Sequence, residues 1–241
     1  MERPKQSEAQ LSDHTSARWV LLYRTAAVAA FTSAALIPIQ VAVFLIWRPP
    51  IDGTAVDWFT LFHEHRLAGL IDLDLLLTCV NVLMIPILLS VYVALRSGHE
   101  SMMTIATALG LGSAIMYIGS NPAVQMASLS DQYAAATTDA QRLSATAAAQ
   151  ALLAIWQGTA FHAAYVLGSV GGILIGIAMV RSGVFSKVTG WLAVVANTVA
   201  FGLYVPNVGV FISVFSVLFL EIWYLLIARR LGRLGRDKTT G

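Results

Sequence analysis

Long apolar stretches separated by short polar segments limit this chain to very few architectures. A helix that crosses a bilayer needs about 20 mainly apolar residues, because the hydrocarbon layer is roughly 30 Å thick and a helix rises about 1.5 Å per residue. The chain is 57% hydrophobic and only 12% charged, whereas about a quarter of a soluble domain is charged. Six stretches have the required length: about 26–47, 75–95, 101–119, 158–180, 188–206 and 208–227. The sequence therefore predicts an all-α polytopic integral membrane protein, a bundle of six transmembrane helices.

The lysines and arginines are distributed unevenly between the two predicted sides of the membrane. Twelve of the 15 lie in the two terminal segments and in the connections after the second and fourth stretches, while Arg48, Arg66 and Arg142 lie on the other side. Because positive residues concentrate in cytoplasmic loops, both termini are predicted to be cytoplasmic. We expect residues 1–18 to form a disordered cytoplasmic tail, 19–231 the transmembrane domain, and 232–241 a basic cytoplasmic tail.

The two outer connections carry helix signals of their own. Residues 48–66 contain a Pro-Pro turn followed by an amphipathic segment, and Thr138 with Gln141 has the spacing of a helix N-cap. The Ala-rich helix that follows would be about 60 Å long if it continued to Val180, which exceeds the bilayer thickness. It must therefore project outward, tilt, or kink near Gly158.

Small residues recur every fourth position in the fourth apolar stretch, at Ala160, Ala164, Gly168, Gly172 and Gly176. This spacing places them on one helical stripe, and small residues allow the close backbone approach that drives helix association in lipid. The stripe predicts a helix-packing surface; a flat wall for a ligand is the alternative. Three amides within the stretches, Gln40, Asn81 and Asn197, are expected to form interhelical hydrogen bonds.

A charged segment, FHEHRLAGLIDLDLL, precedes the second apolar stretch at residues 62–76. His63 and His65 are two positions apart, about 200° round a helix, so they cannot share an ion on one helical face. The chain has one cysteine, which excludes a Cys-rich site. We therefore predict no metal and no cofactor.

On one continuous helix, Asp74, Thr78 and Asn81 would form one stripe, and Asp72 would lie on another face. The favoured interpretation is a solvated helix mouth in which Arg66 and the histidines counter the two acids. The alternative is an outward-facing polar site made of His63, Glu64, His65, Asp72 and Asp74, with His162 as a further candidate. Its weak catalytic candidates are Asp74, Glu64, His63 and His65, and its weak ligand-binding candidates are Asp74, Asn81, His162 and Glu221.

Four stretches are similar to a known family: residues 120–161, FSKVTGWLAVVANTVAFGLYVP at 185–206, EIWYLLIARRLGRLG at 221–235, and DLDLL at 72–76. They resemble the bacterial membrane family called domain of unknown function 4386, over roughly residues 19–235. The resemblance implies a multi-span protein of the bacterial cytoplasmic membrane. It implies no activity and gives no residue a role.

Three classes of function are compatible with these patterns. The first is a non-enzymatic membrane module that binds a small lipid-like molecule or a membrane-protein partner, and the small-residue stripe favours it. The second is an intramembrane acid–base enzyme, such as an isomerase, cyclase or hydrolase, that uses Asp74 and Glu64. The third is a small transporter. The expected partners are the lipid bilayer and a second copy or another membrane protein; no nucleic acid is expected.

Overall fold

A computed structural model describes residues 19–236 of the chain. The predicted tail at 1–18 and the last residues, 237–241, lie outside the described part. Residues 19–236 contain no strand, and their helices are α1 (Val20–Ile46), α2 (Ala55–Glu64), α3 (Arg66–Asp72), α4 (Leu75–Ser120), α5 (Ala123–Ala135), α6 (Asp139–Trp156), α7 (Thr159–Arg181), α8 (Lys187–Ala200) and α9 (Gly209–Leu234), with a 3₁₀ turn at Phe201–Tyr204.

Three helical stretches in the described residues are long and apolar enough to cross a membrane: Val20–Ile46, Leu75–Ala135 and Asp139–Arg181. The predicted all-helical class is thereby confirmed for the described residues, and the three stretches are compatible with a bundle of membrane helices. The count of six spans and the orientation of the termini stay predictions.

Helix boundaries follow the predicted breaks with three refinements. The second and third predicted spans form one helix, α4, whose backbone is non-helical at His99 (φ −147°, ψ 43°). Of the alternatives left open for the long Ala-rich helix, the structure shows a break near Gly158, because α6 ends at Trp156 and α7 begins at Thr159. The fifth span, predicted as 188–206, is shorter: α8 ends at Ala200. Helix α9 continues to Leu234, so the predicted tail from 232 begins inside a helix.

The chain divides into two compact units. Unit 1 comprises the described residues up to Ala34, Leu83–Leu111, and those from Gly168 onward; unit 2 comprises Ala35–Val82 and Gly112–Leu167.

In unit 1, two glycines of the predicted stripe lie against α8. A Cβ atom on Gly172 would meet the Asn197 side chain, and one on Gly176 would lie 2.8 Å from the Gly190 carbonyl oxygen. A neighbouring glycine outside the stripe, Gly171, faces α4, with the Ala106 carbonyl oxygen 3.0 Å from its ideal Cβ position. Of the stripe residues in unit 2, Ala164 is buried and Ala160 is partly exposed. The packing role is therefore visible at Gly172 and Gly176.

Unit 2 has an aromatic core built by its short helices. Helix α2 begins at a capping box in which Thr54 and Asp57 bond each other, and the buried face of α2 is formed by Ala55, Trp58, Phe59 and Phe62. This face confirms the predicted amphipathic segment. It packs with Leu73, Ala123, Met126, Ala127, Ala149 and Leu153. Thr138 and Gln141 form the predicted capping box of α6.

Candidate functional site

The most unusual backbone of unit 2 lies between α3 and α4, and we call it the Asp72–Asp74 turn, residues 72–74. Helix α3 ends at Asp72, Leu73 is fully buried in the aromatic core, and Asp74 has left-handed backbone angles (φ 63°, ψ 26°). Aspartate is among the few non-glycine residues that adopt this conformation readily. Because Leu73 is packed in the core, the acids on either side of it, Asp72 and Asp74, are also buried.

Two amide side chains hold the turn by its backbone. Gln40 Nε2 on α1 donates to the Ile71 carbonyl oxygen at 2.6 Å, and Asn121 Nδ2 donates to the Leu73 carbonyl oxygen at 2.5 Å. The Asn121 Oδ1 atom accepts from the Ala123 N–H at 3.0 Å, at the start of α5. The bond from Asn121 satisfies a carbonyl that the helix break would otherwise leave unpaired, whereas the Ile71 carbonyl also accepts from the Asp74 N–H at 2.9 Å.

The Asp74 carboxylate does not cap α4, although Asp74 occupies the N-cap position. It accepts a hydrogen bond from Trp156 Nε1 at 3.1 Å, and the Tyr117 hydroxyl is a second donor to it. Asp74 is 8% exposed. Asp74 lies just before the apolar stretch that begins at Leu75. Burial raises the pKa of Asp74 to about 6, although the hydrogen bonds from Trp156 and Tyr117 lower it.

Asp72 is more isolated than Asp74. It is 0% exposed, and neither of its carboxylate oxygens has a hydrogen-bond partner among residues 19–236. Burial, reinforced by the charge of Asp74, raises the pKa of Asp72 to about 7. The Gln40 Oε1 atom and the Thr78 hydroxyl are also buried and unpartnered. The turn therefore combines a carboxyl group whose pKa is raised by burial with the oxygen of the adjacent Gln40 amide, which also lacks a donor.

The expected solvated mouth is wrong, because both acids are buried. Arg66 does not counter them: its guanidinium makes two hydrogen bonds to Asp131, at 2.7 and 2.9 Å. The candidates His63, Glu64 and His65 are exposed on α2 and at its end, and the His65 ring lies 5.5 Å from the Trp47 ring. The turn thus gathers the two aspartates without the other charged residues of the segment.

The remaining ligand-binding candidates are Asn81, His162 and Glu221. Asn81 Nδ2 donates to Leu77 of its own helix at 2.9 Å, and Asn197 similarly donates to Ala193 at 2.8 Å. The predicted interhelical bond is therefore correct for Gln40 and wrong for these two amides. His162 is exposed beside the Phe161 ring, and Glu221, whose Oε2 atom is buried and unpartnered, belongs to unit 1.

Trp156 and Tyr117 are the site residues that sequence reasoning missed. They lie 82 and 43 positions after Asp74, and nothing in their local sequence distinguishes them from ordinary aromatic residues of apolar helices. Within residues 19–236, no group of three or more His, Cys, Asp or Glu side chains is placed to hold a metal ion. Comparison with known proteins gives no match to a family model, a curated protein or a solved structure.

Proposed function

We propose that this chain is a non-enzymatic membrane module that binds a small lipid-like molecule at the Asp72–Asp74 turn of unit 2. The observation that carries the proposal is Asp72, a carboxyl group with no exposure and no partner for either oxygen. An unpaired buried carboxylate is costly, and such groups are typical of sites that receive a ligand or a proton. The broader identity proposed here is a six-span protein of the bacterial cytoplasmic membrane with both termini in the cytoplasm, related to domain of unknown function 4386.

The surroundings of the turn favour an amphiphilic ligand. Leu73, between the two acids, belongs to the aromatic core, and helix α4 begins one residue after Asp74 with an apolar stretch suited to lipid. A ligand with a polar head and an apolar body matches this border between a polar turn and an apolar helix.

An acid–base enzyme is the second candidate, and one observation favours it. Asp72 and Asp74 interact, and their pKa values lie at about 7 and about 6, near the range where a carboxyl group can both take and give a proton at neutral pH. In this version Asp72 replaces Glu64 as the partner of Asp74, because Glu64 is exposed on α2.

Native mass spectrometry of the purified protein in mild detergent tests the proposal. We expect the wild type to retain a small amphiphile that Asp72→Asn loses. Asp52→Asn is the matched control, since it removes the same charge from an exposed loop position. Equal occupancy in all three proteins would overturn the proposal. An amphiphile that Asp72→Asn holds unchanged, and that wild type converts, would instead establish the enzyme.

Cysteine labelling of intact cells tests the proposed orientation. The exposed residues Ser128 and Gly183 lie in the second outer connection and in the connection after the fourth predicted span. With Cys79 replaced by alanine, an impermeant maleimide should label Ser128→Cys and spare Gly183→Cys. The reverse pattern would overturn the assignment of both termini to the cytoplasm.

A further inference from the structure

We infer that the Asp72–Asp74 turn binds an organic ammonium group. The inference rests on the proposed function and adds the charge and the chemical class of the ligand: an amphiphile whose head is a protonated amine.

Hydrogen-bond acceptors outnumber donors at the turn. The amide N–H groups of Gln40 and Asn121 are bound to the carbonyls of Ile71 and Leu73, and the Trp156 N–H is bound to Asp74. The Gln40 Oε1 atom and both oxygens of Asp72 remain buried without a donor. A protonated amine carries only donors and thus complements this set, whereas a carboxylate or phosphate would add acceptors to it.

The charge of the turn has no counterion among the contacts that the structure shows. The donors to Asp74, Trp156 and Tyr117, are neutral. Arg66, the basic residue at the start of α3, is bound through two guanidinium nitrogens to Asp131. Buried carboxylates in proteins are paired with cations or neutralised by protons. A positively charged ligand would supply the pairing that the chain does not.

Aromatic rings near Asp74 favour an organic cation over a metal ion. The Trp156 ring lies 5.8 Å from the Trp58 ring, and the Tyr117 ring lies 6.2 Å from the Phe161 ring. Rings of this kind hold organic ammonium groups through cation–π attraction. Calcium instead requires about 6–8 oxygen ligands, and magnesium requires near-ideal octahedral geometry. Two carboxyl groups in an aromatic setting fit the ammonium group better.

The exposed fractions of the two acids define the order of contact. Asp74 is 8% exposed, whereas Asp72 is 0% exposed. We therefore expect an entering ammonium group to meet Asp74 first and then to supply donors to the unpartnered oxygens of Asp72. Both acids are needed for full affinity, and neither would be replaceable by an amide.

The test measures thermal unfolding of the full-length protein in detergent micelles at pH 8, where both carboxyl groups are ionised. Hexylammonium chloride is compared with hexanol, sodium hexanoate and sodium chloride at matched ionic strength. We expect only hexylammonium to raise the unfolding temperature of the wild type. Its half-effect concentration should rise about tenfold or more in Asp72→Asn and Asp74→Asn, and stay unchanged in Asp52→Asn.

Each contrary outcome has a definite meaning. Equal stabilisation by hexanol would show that the site recognises the apolar tail alone, and equal stabilisation by sodium chloride would indicate a metal ion; either would overturn the ammonium inference. Equal weakening in Asp52→Asn would reduce the effect to surface charge and would also overturn it. If a copurified amphiphile is lost in Asp72→Asn while hexylammonium has no effect, this inference fails and the proposed function stands.

Discussion

Polar groups are satisfied in one region of the molecule, the contact between α7 and α8, and left unpaired in another, the Asp72–Asp74 turn. At the contact, Gly172 and Gly176 bring backbone close to α8, and Asn197, the amide facing Gly172, is satisfied by the Ala193 carbonyl of its own helix. At the turn, bulky core residues surround two acids, and Asp72 is left without a partner.

The difference separates packing from binding within one chain. Small residues that allow close backbone approach favour helix association in lipid. The Asn197 amide is satisfied within its own helix, so the α7–α8 contact gives no evidence of a ligand site. Buried acceptors without donors, beside a left-handed aspartate, reduce stability, and such local costs in proteins concentrate at functional sites. Variants at the two regions should therefore affect stability for different reasons, through backbone packing at the contact and through charge and hydrogen bonding at the turn.

The largest effect is expected for Gly176→Leu. Its ideal Cβ atom lies 2.8 Å from the Gly190 carbonyl oxygen and 2.9 Å from the Val194 backbone nitrogen, and backbone cannot move aside as a side chain can. We expect a loss of about 3 kcal/mol or more, measured as a lower unfolding temperature in detergent. Gly112→Leu is the control, since nothing lies within 4 Å of its Cβ position. Equal losses in the two variants would mean that the α7–α8 contact has no special role.

Asp72→Asn should remove most of the pH dependence of stability. Because the pKa of Asp72 is raised from 3.8 to about 7 in the folded protein, the folded state holds its proton more tightly than the unfolded state. Stability is therefore greatest below pH 4 for this group and falls as the pH rises through 7, by at most about 4 kcal/mol. Unfolding temperatures at pH 5 and pH 8 should differ in the wild type and converge in the variant, apart from the smaller share of Asp74. A wild type that is more stable at pH 8 than at pH 5 would contradict the burial of this carboxyl group.

Asp74 should tolerate asparagine better than alanine. Asparagine accepts the Trp156 N–H bond and adopts left-handed angles readily, whereas alanine does neither. We expect Asp74→Ala to lose about 2 kcal/mol and Asp74→Asn to lose less than half of that. At pH 8, Asp74→Asn should still destabilise the protein more than Asp72→Asn does. If stability survives in Asp74→Asn while a growth or conversion assay fails as completely as in Asp74→Ala, proton transfer is the role of this residue.

Arg66→Ala should have the smallest effect. The bond from Arg66 to Asp131 is exposed on both sides, and exposed ion pairs contribute about 0.2–1 kcal/mol. A double-mutant cycle with Asp131→Ala at low and high salt measures the pair directly. A coupling energy well above that range would contradict the description of this ion pair as a weak surface interaction.

Much of the fold could be predicted from local pattern. The capping box of Thr138 and Gln141, the break near Gly158 and the amphipathic face of α2 depend on residues within a few positions of each other. The glycines Gly172 and Gly176 were likewise predictable from one spacing, although the spacing does not identify α8 as the helix they contact.

The site could be predicted only in its two aspartates. The helical-face argument placed Asp72 and Asp74 on opposite faces of one helix, but the helix stops between them, so the 100° rotation per residue does not apply across the turn. The prediction of a solvated mouth is wrong for a tertiary reason, because Leu73 enters a core assembled from α2, α5 and α6 and both neighbouring acids are buried with it. Trp156 and Tyr117 become site residues through tertiary contact alone.

The residues that bond to the Asp72–Asp74 turn, Asn121 and Trp156, are synthesised well after the turn itself. Leu73 receives its bond from Asn121, 48 residues later, and Asp74 receives one from Trp156, 82 residues later. At about 5–20 residues per second, the ribosome supplies Trp156 roughly 4–16 s after Asp74. Throughout that interval Asp74 lacks the donor that Trp156 provides in the folded protein. The turn can therefore be completed only after the second half of the protein has been made.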